Sequence, residues 1–327
     1  MKYYKKENDR LVCLLCSYYC KLKEGQVGIC GVNKNVGTTV ECLVYGYISA
    51  LNADPIEKKP LYHFLPDTKV LSLGTVGCNF KCPFCQNHGI SQEKKIDKSR
   101  YLSPKDVVTL ALRNNCKSIA FTYNEPTIFY PYAKDIAIEA KKHGLKNVYV
   151  SNGFESSEVI DDMKGIIDAV NIDLKCFTQS YYKKELGGNL EQVLENLKHF
   201  KRNGIWLEIT TLIVPTKNDS KEELHNIAKF IKNELDIYTP WHISAFHPDY
   251  KDLDLPHTSV ESLKLAFDLG KKEGLKYVYI GNVNLGNNTS CPNCNEVLLK
   301  RYRFKTIENN IIGGNCPKCN YKVEGVF

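Results

Sequence analysis

The sequence predicts an α/β protein built on a parallel sheet, with a cysteine-rich head before it and a small cysteine ribbon after it. Three observations carry this. Between about residues 70 and 283, β-prone runs alternate with helix-like stretches. Several of those stretches end in glycine, as helices that turn back to a sheet do. Most of the 14 cysteines fall in tight groups before, at the start of, and after that region.

Taken in order, the strand-like runs are 70–77, 118–124, 147–153, 169–174, 206–214, 241–246 and 277–283. The first helix between them opens with Ser103 as N-cap and Pro104 at the first helical position. The others cover roughly 129–143, 155–166, 190–203, 220–236 and 259–273, with Gly144, Gly204 and Gly274 as C-caps. A repeated βα rhythm implies a parallel sheet with helices outside. Periodicity alone allows either a doubly wound open sheet or a partial barrel. In both, chemistry collects at the C-terminal ends of the strands. Three segments follow: a head with a β/loop extension over 1–66, the βα region over 67–285, and a ribbon module over 286–327. Within the first, 40–50 is β-prone. Residues 54–66, with three prolines, read as an ordered loop in which Glu57, Lys58, Lys59 and His63 either edge a site or face solvent.

No run of about 18 apolar residues is present, and the basic N-terminus has no apolar stretch of signal type behind it. A cytoplasmic protein with no membrane contact is expected, so the cysteines point to metal rather than to disulfides. Cys42, Cys116 and Cys176 stand alone and read as small buried hydrophobes.

The central motif is Cys78-x3-Cys82-x2-Cys85, directly after the first strand of the rhythm. A cubane cluster normally takes four thiolates. Three on one loop hold three corners of a [4Fe-4S] cluster and leave the fourth iron open. Gly77 and Pro83 suit a tight loop. Two C-x2-C pairs, Cys291/Cys294 and Cys316/Cys319, have the spacing of a closed four-thiolate zinc ribbon, whose folding the metal would largely drive. Cys13, Cys16, Cys20 and Cys30 form a third group, for which zinc and an auxiliary Fe–S cluster both fit. The formal charge is +7, but the thiolates of two zinc sites and one cluster would lower it to about +2. The lysines are also spread along the chain. Nucleic acid is therefore a weakly supported partner, resting on the basic residues Lys300, Arg301, Arg303 and Lys305 of the ribbon.

The motif C-x3-C-x2-C with Phe84 before its last cysteine resembles the signature of the radical S-adenosylmethionine (SAM) superfamily. That resemblance implies a partial (βα)6 TIM barrel, a [4Fe-4S] cluster, and SAM as cofactor beside Phe84. Thr122-Tyr123-Asn124-Glu125-Pro126 is similar to the family's Gly-Gly-Glu-Pro segment, which binds the SAM amino group. Glu125 matches, while Tyr123 and Asn124 stand where the family has glycines. Ser151-Asn152-Gly153 resembles the Thr-Asn-Gly of activating enzymes, and Asp173-Leu174-Lys175 their Asp-x-Lys pair. His247, in Phe246-His247-Pro248, is a candidate contact for SAM or substrate. The likeness is greatest to the AmmeMemoRadiSam-system radical SAM proteins, related to pyruvate formate-lyase activating enzyme. It extends over the head, the 54–64 segment, Trp241–Tyr250, Tyr279–Val283 and the ribbon.

The implied function is reductive cleavage of SAM to a 5′-deoxyadenosyl radical that abstracts hydrogen from an unidentified substrate. A low-potential electron donor is the implied partner, and a protein of the same system is one candidate substrate. Activation of a glycyl-radical enzyme is the alternative within that class. The alternative outside it is a non-enzymatic Fe–S and zinc protein, an electron carrier or nucleic-acid module. That reading leaves Glu125, Asn152 and Asp173 at successive strand ends unexplained.

Overall fold

The computed structural model describes residues 3–283, 285 and 287–327. The expected boundary between the second and third segments, at 285/286, involves residues outside this set. The head holds an antiparallel sheet of β1 (Tyr4–Glu7), β2 (Arg10–Cys13) and β3 (Lys21–Leu22), and a hairpin of β4 (Asn33–Asn35) and β5 (Val40–Cys42).

The main sheet has eight strands. It opens with β6 (Ala50–Pro55), antiparallel to β7 (Lys69–Gly74). Parallel strands then follow in chain order: β8 (Ser118–Phe121), β9 (Lys146–Ser151), β10 (Ala169–Asp173), β11 (Trp206–Ile213), β12 (Trp241–Ala245) and β13 (Val278–Gly281). Every expected strand of the βα rhythm is present, and β6 adds an edge strand from within residues 1–66. The short α1 (His88–Ser91) follows the cysteine loop. The crossovers carry α2 (Pro104–Arg113), α3 (Tyr130–Lys142), α4 (Ser157–Met163), α5 (Gln179–Tyr181), α6 (Leu190–Arg202), α7 (Lys221–Phe230) and α8 (Val260–Lys272). Ser103 and Asp106 cap α2 reciprocally, with Pro104 at its first position. The strand order never reverses. Right-handed crossovers that all step the same way put every helix on one face, so the sheet curls into a barrel wall instead of being doubly wound. Six βα units and a closing strand, open between β6 and β13, make the partial (βα)6 barrel.

The outer face packs Leu73, Phe121, Ile172 and Ile209 against helix residues such as Ile136 and Leu224, all buried. The inner face changes character along the strands. Its lower layer is small and apolar, with Val70, Ala120, Val148 and Ala169. Above it, register aligns Asp173 with Thr210, Thr210 with His242, and Ser244 with Gly281. The segment after β6 seals the bottom: Ile56, Leu61 and Phe64 pack onto the apolar layer. The 54–66 loop is thus a buried plug and not a solvated connection.

His63 belongs to that plug. It has no exposure, and its ring bonds the Glu324 carbonyl (2.7 Å) and the Tyr279 hydroxyl (2.6 Å). Burial, only partly offset by the charge of Glu208, lowers its pKa from 6.5 to about 4. A histidine kept neutral in the fold stabilises fully above the unfolded value. That contribution is lost as pH falls from about 6.5 towards 4, by about 1.4 kcal/mol per unit. The stability gap between the wild type and His63→Gln should therefore narrow by up to about 3 kcal/mol over that range in urea titrations. A constant gap would contradict this account.

The ribbon is a three-stranded sheet of β14 (Thr289–Ser290), β15 (Val297–Tyr302) and β16 (Lys305–Asn309). Among the described residues no helix is long and apolar enough to cross a membrane. Cys116 and Cys176 are buried as expected, while Cys42 is half-buried at the edge of the core.

Candidate active site

The loop that leaves β7 is pinned before it reaches its cysteines. The Asn124 side chain donates to the Gly77 carbonyl (2.8 Å) and to Thr75 Oγ1 (3.1 Å), and accepts from the Thr75 N–H (3.2 Å). Gly77 has φ +89°, and a Cβ there would stand 2.7 Å from the Cys30 carbonyl oxygen. Only glycine permits both the left-handed backbone and this approach of the head. Beyond it, Cys82 is buried and Cys78 and Cys85 are half-buried. Burial pushes the Cys82 thiol up to about 11 although Lys175 opposes the shift, and it raises Cys78 further. Thiols held this way are protonated at neutral pH and release protons on taking a metal. All three line one cavity of about 710 Å³, whose described lining contains no fourth cysteine. That donor set fits a [4Fe-4S] cluster with one open corner.

The ends of β8, β9 and β10 bring the other expected residues to the same cavity. Glu125 accepts from the N–H groups of Thr127 (3.0 Å) and Asn152 (2.8 Å) and from Ser151 Oγ (2.9 Å). Asn152 Nδ2 donates to Asn79 Oδ1 in the cysteine loop (2.8 Å). Lys175 pairs with Asp173 (2.8 Å) and stands 5.9 Å from the centre of the Phe84 ring. Burial opposes the charge on Lys175, but the Asp173 carboxylate and the Cys82 sulfur outweigh it and raise the pKa.

The departure from the family pattern at Tyr123 finds a physical explanation. Tyr123 adopts φ +72°, the backbone a glycine would take, at a cost on the order of 1–2 kcal/mol. Its side chain offsets that cost. The hydroxyl donates to Asp54 Oδ2 (3.2 Å) and accepts from Asn52 (3.0 Å), and Lys59 lies 4.8 Å from the ring centre. Beside Glu125 stands Glu155, which sequence reasoning missed. It is fully buried and shares Ser151 Oγ with Glu125. Burial and then the charge of Glu125 raise Glu155 to about 8. Glu125, with two N–H donors, carries the charge, and Glu155 is its neutral neighbour.

Further down the lumen lie Thr210, His242 and Ser244, also missed. His242 Nε2 bonds Glu208 (2.7 Å), which accepts as well from the N–H groups of Tyr62 (3.0 Å) and His63 (2.9 Å) and from the Trp206 indole (3.0 Å). Burial alone would raise Glu208, but these partners outweigh it and hold its pKa below the usual value. Glu57, Lys58 and Lys59 line the cavity, whereas His63 lies behind its wall. His247 is not brought to the cavity. It is exposed, past the end of β12, and among the described residues its ring reaches the Pro248 carbonyl (3.4 Å). The inward position that faces the lumen is His242, in step with Ser244.

Eight of the remaining cysteines fall in two groups. In the ribbon, Cys291 and Cys319 sulfurs are 3.6 Å apart and those of Cys294 and Cys316 3.7 Å, all four within 4.8 Å. Among the described residues no other group of three or more potential ligands is this tight. In the head, Cys20 and Cys30 sulfurs border the same spot beside Gly28 (3.6 and 3.7 Å from a Cβ placed there). Cys13 and Cys16 are buried beside them. The head rests on the end of β9 through a bridge between Cys16 and Glu155 and through Tyr18 against Phe154 (5.2 Å).

The family model of the radical SAM superfamily matches residues 72–231, the stretch that holds the cysteine loop, Glu125, Asn152 and Asp173. The chain belongs to the radical SAM superfamily. Within it, the chain is 42% identical to an uncharacterized protein of Methanocaldococcus jannaschii, over 100% of this chain and 99% of that protein. It is 23% identical to the pyruvate formate-lyase-activating enzyme of Clostridium pasteurianum, over 55% of this chain and 78% of that one. A radical SAM methyltransferase from Sphaerobacter thermophilus shares the fold, with a TM-score of 0.54 at 13% identity over 67% of this chain and 68% of that one. The protein is thus an enzyme of radical SAM type, related to the activating enzymes, which sets aside the non-enzymatic alternative.

Proposed function

We propose that this radical SAM enzyme binds a [4Fe-4S] cluster at Cys78, Cys82 and Cys85 and abstracts hydrogen from a substrate held in the barrel lumen. One observation carries the reading: the three thiols open onto the same cavity as Glu125, Ser151, Asn152, Asp173 and Lys175. When bound, the cluster supplies the electron that cleaves SAM to methionine and a 5′-deoxyadenosyl radical. The chain's own residues bind and orient. Glu125 takes the SAM ammonium, with Ser151 and Asn152 fixing its carboxylate. Asp173 and Lys175 hold the polar methionine end, and Phe84 packs beside it. Thr210, His242 and Ser244 face the substrate.

The activating-enzyme relatives support a protein substrate and a low-potential electron donor, with glycyl-radical activation as the second reading. The relative matched along its length supports head, barrel and ribbon (1–66, 67–285 and 286–327) as one architecture. The assignment to the AmmeMemoRadiSam branch rests on the resemblance of the sequence motifs. The test is electron paramagnetic resonance of the reconstituted, dithionite-reduced protein. Adding SAM should shift the cluster signal, because SAM occupies the open iron. A reduced-cluster signal unchanged by saturating SAM would refute the proposal.

For the head we favour an auxiliary Fe–S cluster over zinc. Among the described residues, the sulfurs of Cys13, Cys16, Cys20 and Cys30 do not gather three or more within 4.8 Å as those of the ribbon do, and cubane corners lie further apart than the ligands of one ion. Reconstituted protein should then carry roughly eight irons and one zinc per chain. About four irons and two zincs would assign zinc to the head instead.

A further inference from the structure

The ribbon is more than an appended clasp. Its four sulfurs, at 3.6 and 3.7 Å across each pair, match a single tetrahedral ion, for which Zn–S bonds of about 2.3 Å place sulfurs about 3.8 Å apart. Cys291 and Cys316 are buried within a cluster that includes Tyr62, Tyr277 and Tyr279. Tyr279 is a barrel strand residue and Tyr62 lines the active-site cavity.

The hairpin between β15 and β16 turns at Arg303, with φ +53°, and its next residue, Phe304, lines the same cavity. Two residues flanking the turn grip the plug segment. Arg301 is buried. Its guanidinium donates to the Tyr62 carbonyl (2.8 Å) and lies 4.3 Å from the Tyr62 ring centre. Two further bonds, to the Asn287 carbonyl (3.0 Å) and Thr289 Oγ1 (2.8 Å), fix it within the ribbon. Thr306 Oγ1 donates to Glu57 Oε1 (2.7 Å). The end of the chain adds a strap: Val326 exchanges backbone bonds with Leu65 (2.7 Å) and His63 (2.8 Å). The plug passes the constraint inward, because the Tyr62 and His63 N–H groups donate to Glu208, the partner of His242.

We infer that the ribbon is a wall of the active-site cavity and that one zinc ion, held by Cys291, Cys294, Cys316 and Cys319, keeps that wall in place. The β15–β16 hairpin is too short to bury a core of its own, so the metal supplies its folding energy. Zinc loss frees Arg301, Thr306 and Phe304 together, which loosens the plug and the Glu208–His242 pair. The Cys78 loop and the ends of β8–β10, pinned by their own hydrogen bonds, are unaffected. Phe304 is then a specificity-determining residue contributed from outside the barrel. Only this last consequence rests on the reading of the lumen as the substrate pocket.

The test is hydrogen exchange on the full-length protein, with zinc and with zinc stripped by a chelator. Residues 56–65 should exchange roughly tenfold faster or more without zinc, while β7–β10 keep their protection, and added zinc should restore the segment. Zinc loss without change at 56–65, or an equal loss of protection across β7–β10, would overturn the inference. Arg301→Gln combined with Thr306→Val covers the case in which stripping unfolds the ribbon grossly. That protein should keep about one zinc per chain and still show fast exchange at 56–65. Unchanged exchange there would equally overturn the inference. If the segment responds to zinc but the Cys78 loop takes no cluster, the wall stands and the proposed function falls.

Discussion

Cys82→Ala is expected to lower 5′-deoxyadenosine formation by about three orders of magnitude or more, to the level of reductant alone. Cys82 is the buried member of the cysteine loop, and its removal leaves two thiols to hold three corners. It also removes a neighbour of the Asp173–Lys175 pair, in which Asp173 chiefly keeps Lys175 charged. Reconstitution of the variant should show a matching loss of iron, with zinc retained in the ribbon. Cys116→Ala, by contrast, removes an isolated buried thiol next to Lys69 and should leave iron content unchanged. Retention of a SAM-responsive cluster in Cys82→Ala would mean that the loop is not the cluster site.

The second large effect belongs to Glu125. Glu125→Ala deletes the carboxylate proposed to take the SAM ammonium, and it also leaves the Asn152 and Thr127 N–H groups without their acceptor. Truncating one side of a buried charge-assisted pair costs about 2–4 kcal/mol, so SAM affinity should fall roughly 30- to 1,000-fold. Equilibrium binding to the reconstituted, unreduced protein measures this apart from catalysis. Glu155 gives an internal control. With Glu125 gone, the charge that helps raise Glu155 disappears, but Glu155 reaches Ser151 and not the Asn152 N–H. It should not rescue binding. An affinity within about threefold of wild type would remove Glu125 from the SAM site.

The parts of this site that were legible in the sequence are those set by short spacing. Three thiols within eight residues of chain reach one centre whatever the fold does around them. Glu125, Asn152 and Asp173 each close a strand, and a parallel barrel gathers strand ends. What escaped depends on register and long-range packing. His242 and His247 are five residues apart on the same run. Strand alternation, counted from Ser244, puts His242 in the lumen, while the chain has left the strand before His247. Glu208 resembles any charged residue until β11 places it beside His242 and beneath the plug. The 54–66 segment, with its lysines and prolines, reads by composition as an ordered loop that either edges a site or faces solvent. Glu57, Lys58 and Lys59 do edge it, but the burial of the segment as a plug was not legible. The segment is buried because the open bottom of a six-unit barrel has to be filled, and Ile56, Leu61 and Phe64 fill it. Tyr123 is the converse case. A tyrosine in place of glycine predicts a changed backbone, yet the left-handed turn is kept because Asp54, Asn52 and Lys59 hold the side chain.

The measurement closest to the central claim is the yield of 5′-deoxyadenosine from anaerobically reconstituted protein supplied with SAM and dithionite. The account predicts formation that depends on the protein's cluster and vanishes in Cys82→Ala. A protein whose intact cluster binds SAM but forms none would need its substrate or partner before cleavage. An intact cluster that neither binds nor cleaves SAM would contradict the account.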